Sequence, residues 1–255
     1  MIRDFIDGIA AYGRAFSIIS RLNLWGYFVA PALISLVLAL LIGWGAWGLS
    51  DDVGGWIASW YPWEWGRPVF LKIANVFGGL LVLALGLIAY KQLVMGLSAP
   101  IMSPLSERVE EHLTGRESTA RFTLRQMLRD LVRGLTLALR NVIRELVWTV
   151  LLLLVGLIPG LQWITLPGLL LVQAYYFGFG NMDFTLERHL GVRDSIAFVR
   201  RNRALAIGNG AVTLALLSTL LGFLVVLPLG TVAATIETLK RLPVERPRRH
   251  VDEYV

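Results

Sequence analysis

Apolar residues in this chain gather into long uncharged blocks separated by short charged segments. From 24 to 49 the chain carries no charge for 26 residues, and from 73 to 90 it carries none for 18, with Lys91 closing the run. A hydrocarbon core of about 30 Å takes about 20 helical residues to cross, so these runs predict two full transmembrane helices at about 24–49 and 70–92. Two further blocks, 146–182 and 204–236, hold 37 and 33 uncharged residues. Each is too long for one crossing and too short for two with a turn. Pro159-Gly160 and Pro167-Gly168 interrupt the first, and Gly222 and Pro228-Leu229-Gly230 the second. Both read as broken, hemi-penetrating helical hairpins. The likeness of the two blocks suggests a weak internal repeat, although the sequences share no clear identity.

Other segments mix apolar and charged positions at helical spacing. Ile2, Phe5, Ile6, Ile9, Tyr12, Phe16 and Ile19 alternate with Arg3, Asp4, Asp7, Arg14 and Arg21, predicting an amphipathic N-terminal helix. It lies in the membrane interface or docks on a partner. Arg121, Arg125, Arg129 and Arg133 recur every four residues, and Arg140 and Arg144 repeat the step among leucines. That basic stripe suits lipid headgroups or an electropositive vestibule. In 98–115, Pro100 and Pro104 predict a helix break, Ser106 a new N-cap, Glu107, Glu110 and Glu111 charges at its positive end, and Thr114-Gly115 its stop.

Composition turns these patterns into a class. Hydrophobic residues make up 56% of the 255, charged residues 16%, and mean hydropathy is +0.63. With uninterrupted apolar blocks, this is an all-α integral membrane protein. The absence of cysteine excludes disulfides and thiolate chemistry. The net charge of +6 reads as membrane topology and not as nucleic-acid binding. Lys and Arg number three before Leu24, two in 50–72, nine in 91–144, five in 183–203 and five after Ile236. The loop holding Trp56, Trp60, Tyr61, Trp63 and Trp65 therefore faces outward as an aromatic belt, with both termini cytoplasmic. Residues 1–242 form one membrane domain, and 243–255 a disordered basic tail. No cleavable leader is expected at the start.

No enzyme constellation stands out. His112, His189 and His250 lie in separate charged segments without metal spacing, so no metal or cofactor is expected. Gly178-Phe179-Gly180 lacks the strand and third glycine of a dinucleotide site. Lys91 reads first as a snorkelling anchor and second as a pore residue. Polar groups in or beside apolar blocks are more suggestive: Asn75, Gln162, Gln173, Asn181, Asp183 and Asn209. A path lined by Asn75, Gln173, Asn209 and Asp183 would favour transport, and their dispersal a scaffold.

The residues at 98–115, reading A-P and then L-S-E-x-V-E-x-x-L-T-G, resemble the signature of the CysZ sulfate permeases in the etoposide-induced 2.4 domain family. The resemblance returns at Ile158-Pro159-Gly160, at Met182-Asp183-Phe184 and from Val199 onward. It implies a multi-pass protein of the cell inner membrane, working in sulfur assimilation. Asp183, Glu107 and Glu110 fall where the family carries acids. With Arg108 beside them, these are candidate pore or gate residues. The family's anion site, a Pro-Gly-x-Arg-Arg-Phe element before the first span, aligns with Leu22 to Tyr27. Here glycine is Asn23, and the arginines are Trp25 and Gly26. The candidate anion site is thus Arg21, Asn23, Leu24, Trp25 and Gly26, with backbone N–H groups doing what the arginine pair would do.

The expected function is a permease or channel-like protein for sulfate or a related small anion. With the arginine pair replaced, the alternatives are a different solute, or a non-transporting scaffold that binds lipids or partners. The expected partners are the anion, membrane lipids and further copies of the chain, with no nucleic acid.

Overall fold

The computed structural model describes residues 1–59, 67–115, 123–156, 158, 160–219 and 222–242, all of its regular elements helical. The tryptophan loop at 60–66, Arg121 and Phe122, Pro159 and the 243–255 tail with His250 lie outside the described residues. In order come α1 (Ile2–Arg21), a 3-10 turn (Leu24–Phe28), α2 (Val29–Ser59), α3 (Arg67–Thr114), α4 (Leu124–Gly156), α5 (Gln162–His189), α6 (Val192–Arg201), α7 (Arg203–Leu217) and α8 (Gly222–Leu239).

Helices α2 and α3 form a long antiparallel hairpin, with Gly86 packed on Ile42 and Gly54 on Asn75. Among the described residues, the one stretch long and apolar enough to cross a bilayer is Leu24–Leu49, only 11% of whose window is buried. Leu33, Leu36, Leu40 and Trp44 point outward, the reverse of a soluble core and the pattern of a lipid-facing helix.

Three expected breaks are absent. Helix α3 runs unbroken through Pro100 and Pro104 for 48 residues, roughly 70 Å at 1.5 Å per residue. Ser106 is therefore no N-cap; its hydroxyl donates to the Phe184 carbonyl at 3.0 Å. The carbonyl that Pro100 deprives of a donor belongs to Gly96. A Cβ on Gly134 of α4 would come within 2.8 Å of it, so backbone from the neighbouring helix covers the site. Likewise α5 continues through Pro167 and α8 through Pro228. Tertiary packing holds these prolines inside helices that local sequence would end.

The stops at glycines in the left-handed region hold. Gly115 (φ 68) ends α3, its N–H donating to the Glu111 carbonyl at 2.9 Å. Gly160 (φ 89) turns the chain between α4 and α5. The arginine stripe and the first arm of that hairpin are one helix, α4, which supplies the length that the uncharged block alone lacked.

Helix α1 is docked as well as amphipathic. Ala11, Tyr12, Ala15 and Ile19 are buried against the core with Met102, Leu105 and Val109 of α3 and Val232 and Ala233 of α8. Ile2, Ile6, Ile9 and Phe16 stay exposed on another face. Seven apolar positions that looked like one stripe are therefore split between protein and surroundings. Close crossings hold α5 to α7, where a Cβ on Gly178 or Gly210 would collide with the Ala206 or Ala174 carbonyl.

Candidate functional site

Because the α2–α3, α4–α5 and α7–α8 hairpins share a direction, one end of the bundle collects the C-terminal parts of α3, α5 and α8 and the first half of α4. Charges meet there. Arg188 donates to Glu110 Oε2 at 2.8 and 3.1 Å, to Ser106 Oγ at 2.6 Å, and to the Phe184 and Ser103 carbonyls. His189 Nε2 lies 2.8 Å from the other Glu110 oxygen. Glu110 thus anchors α5, a contact far from the helix-end role its position suggested. Burial pushes its pKa up, but bonds from His189 and Arg188 hold it below the ordinary carboxylate value.

One turn along α5, Arg133 grips Asp183 through two bonds, 2.9 and 3.2 Å, and also reaches Ser195 Oγ and the Leu190 carbonyl. Between these pairs sits Glu187. Burial first, and then Asp183, raise its pKa to about 8, with Ser103 donating to the carboxylate. Its Oε1 has no hydrogen-bond partner among the described residues. Asp130 is also raised, by burial. Two of the four candidate gate residues, Glu110 and Asp183, therefore meet in one charged cluster, each satisfied by an arginine.

Arg108 faces the other way. With Glu111, His112, Leu22, Leu24 and Tyr27 it lines an open cleft of about 530 Å³ between the end of α3 and the loop before α2. Asn23, at the head of that loop, adopts a left-handed conformation (φ 52, ψ 46). Glycine is the usual residue in that conformation and asparagine a side chain that tolerates it well, so Asn23 fits the turn it makes. Among the candidate anion residues, Leu24 lines the cleft; Arg21, Asn23, Trp25 and Gly26 are not in its wall. Trp25 meets Phe16 edge to face (5.9 Å) and Phe28 at a tilt (5.2 Å).

Deeper in the bundle, Lys91 is buried and ion-paired to Glu145, whose second oxygen accepts from Gln92 at 3.1 Å. Lys91 also sits 5.0 Å over the Phe177 ring. The expected snorkelling anchor is therefore wrong: a carboxylate on α4 gives the ammonium a partner inside. Glu145 was legible only as a charge bordering an apolar block, and its depth follows from α4 being one long helix.

The four polar residues proposed as a path do not form one. Asn75 accompanies Asp51 at the far end of the α2–α3 hairpin, at 2.8 Å. Gln173 is half-buried. Asn209 belongs to a neutral cluster, accepting from Asn181 at 2.8 Å and donating to the Gly230 carbonyl, while Tyr12 donates to the Asn209 carbonyl. Asp183 borders a small cavity together with Gln92 and Asn141. Sequence reasoning missed Arg133, Glu145, Glu187 and Arg188 as interior residues, because each lies in a segment that reads as solvated. Among the described residues, no cluster of His, Asp and Glu could hold a metal.

Comparison with known proteins gives one consistent family. The family described as sulfate transporter CysZ/etoposide-induced protein 2.4 matches residues 11–229. Relatives named sulfate transporter CysZ from Pseudomonas aeruginosa strains LESB58 and PAO1 are each 28% identical over 241 residues, 91% of this chain and 94% of theirs. A relative of the same name from Pseudomonas paraeruginosa PA7 is 27% identical over the same shares.

Proposed function

Because the chain belongs to the sulfate transporter CysZ/etoposide-induced protein 2.4 family, we propose that it is an inner-membrane permease for sulfate or a closely related small anion. The family is one of transporters and not of enzymes. In this reading both termini are cytoplasmic, as the Lys and Arg distribution requires. The outward-facing apolar residues of α2 meet lipid or a second copy of the chain.

The observation that carries the proposal is the cleft between Leu24 and Arg108. It places the loop expected to bind anion opposite Arg108 and His112 of α3, with Glu111 in the same wall. Trp25 and Gly26 stand where the arginine pair would be, and Arg108 of α3 offers one guanidinium across the cleft. The left-handed turn at Asn23 leads into the short 3-10 turn Leu24–Phe28, which no side chain caps. A sulfate held there sits at the cytoplasmic end of the bundle, where it regains its water on leaving.

Radiolabelled sulfate uptake into liposomes carrying the purified protein tests this. Uptake above empty vesicles, several-fold lower in an Arg108→Ala, His112→Ala variant, supports the reading. Flux no higher than empty vesicles from folded protein would overturn it. The scaffold reading draws on one observation, the dispersal of Asn75, Gln173 and Asn209, and that null flux would favour it.

A further inference from the structure

Two small cavities adjoin Lys91 and Gln92, the two side chains bonded to Glu145. One is bounded by Ser35, Tyr90, Lys91, Phe177 and Thr213, among others, and lies toward the α7–α8 turn through Leu217 and Val226. The other is bounded by Gln92, Asn141, Phe179 and Asp183, among others, and lies toward the charged end of the bundle. Each measures about 20 Å³, room for a water molecule and too little for sulfate. Met95 lines both. Lys91 belongs to the first, Gln92 to the second, and Glu145 is bonded to both side chains. The pair is therefore part of the septum between the cavities. Its depth is set by Ser35, which shares a cavity with Lys91 and lies near the middle of the apolar stretch 24–49.

We propose, on the premise that the chain passes a small anion, that the Lys91–Glu145 pair is the closed gate of the anion path, and that a tetrahedral oxyanion crosses by taking the place of Glu145 on the Lys91 ammonium. A buried ammonium is costly without an anionic partner, and a sulfate oxygen offers the same acceptor chemistry as a carboxylate. Exchange of one anion for the other keeps Lys91 paired throughout, which a neutral gate could not do. Gln92 retains a hydrogen bond to Glu145 when the ammonium turns away. Met95, unbranched and adaptable, is the side chain whose rotation joins the cavities. On the inner side Arg140 donates to Asn141 Oδ1 at 2.9 Å, which leaves a second cation beside the exit. Asp183, in the same cavity wall, is held by Arg133, so its charge is answered.

The chain has no cysteine, so single cysteines report cleanly. Ser35→Cys and Ala138→Cys, one on each cavity, are treated in sided proteoliposomes with a membrane-impermeant charged thiosulfonate, and sulfate flux is followed in Lys91→Arg and in Lys91→Met/Glu145→Gln. The double variant keeps the shapes while removing both charges, so that no buried charge is stranded. We expect the two cysteines to react from opposite faces, Lys91→Arg to keep flux, and the double variant to lose at least tenfold. Labelling of both cysteines from the same face would remove the septum, and undiminished flux in the double variant would remove the Lys91 relay. Opposite-sided labelling in a protein that moves no sulfate would support the septum and overturn the sulfate reading.

Discussion

The bundle buries two polar clusters that differ in kind. In one, Tyr12, Asn181, Asn209 and Thr213 join α1, α5 and α7 through neutral hydrogen bonds, beside glycines that leave no room for a Cβ. In the other, Lys91, Gln92 and Glu145 join α3 to α4 through charge, with a cavity on either side. Neutral amides bonded to one another need no rearrangement and suit a fixed joint between helices. A buried ion pair is costly to desolvate, roughly breaking even at best, so its retention beside empty space points to a task other than stability. On the proposed gate, the same contrast separates packing from passage.

The largest effect should come from stranding a charge. Lys91→Met alone leaves Glu145 buried without its cation and should cost about 3–5 kcal/mol, read as a large drop in Tm in detergent. Glu145→Gln added to it should restore most of the loss. If Lys91→Met left Tm unchanged, the site would be wetter than its burial indicates and the contrast would fail. Next, Asn181→Leu should cost about 1–3 kcal/mol, because the Asn209 side-chain oxygen loses its donor. Flux per folded molecule should stay the same, and a fall in flux matching that of the Lys91 variants would merge the two clusters into one path.

Glu187 gives a smaller, pH-dependent effect. Its folded pKa of about 8 lies above the ordinary 4.5, so the folded state binds the proton more tightly. The stability this contributes is fully present below pH 4.5 and is lost as pH rises through 8. Glu187→Gln should therefore flatten the dependence of Tm on pH across that window, and an unaltered slope would show that the carboxyl is not buried as described. Smallest of all is Lys240→Ala. Lys240 is half-exposed, and Arg14 and Arg241 also pair with Glu237, so the change should cost no more than about 1 kcal/mol and shrink further in high salt.

Much of the architecture was readable in the chain. Block lengths and charge placement implied an all-helical membrane protein, and Gly115 and Gly160 marked turns that the structure keeps, since a left-handed backbone is a local demand. The prolines misled for the opposite reason. Pro100, Pro104, Pro167 and Pro228 raise the local cost of a helix, and neighbours that no local window contains hold it together. Of the candidate site, Leu24 with Arg108, and Glu110 with Asp183, proved to be neighbours in space or members of one cluster. Lys91 was noticed, but its partner 54 positions away was not, since charge pairing across helices leaves no periodic trace.

What the sequence by itself determined is what depends on local chemistry: where the chain is apolar enough for lipid, where its basic segments lie, where glycine lets it turn, and which family its motifs resemble. What only the tertiary structure decided is which charges became interior. A lysine at the edge of an apolar block can snorkel to water or turn inward, and the choice rests on whether a carboxylate from another helix reaches it. Here α4 continues past the boundary of its apolar block and brings Glu145 to that place.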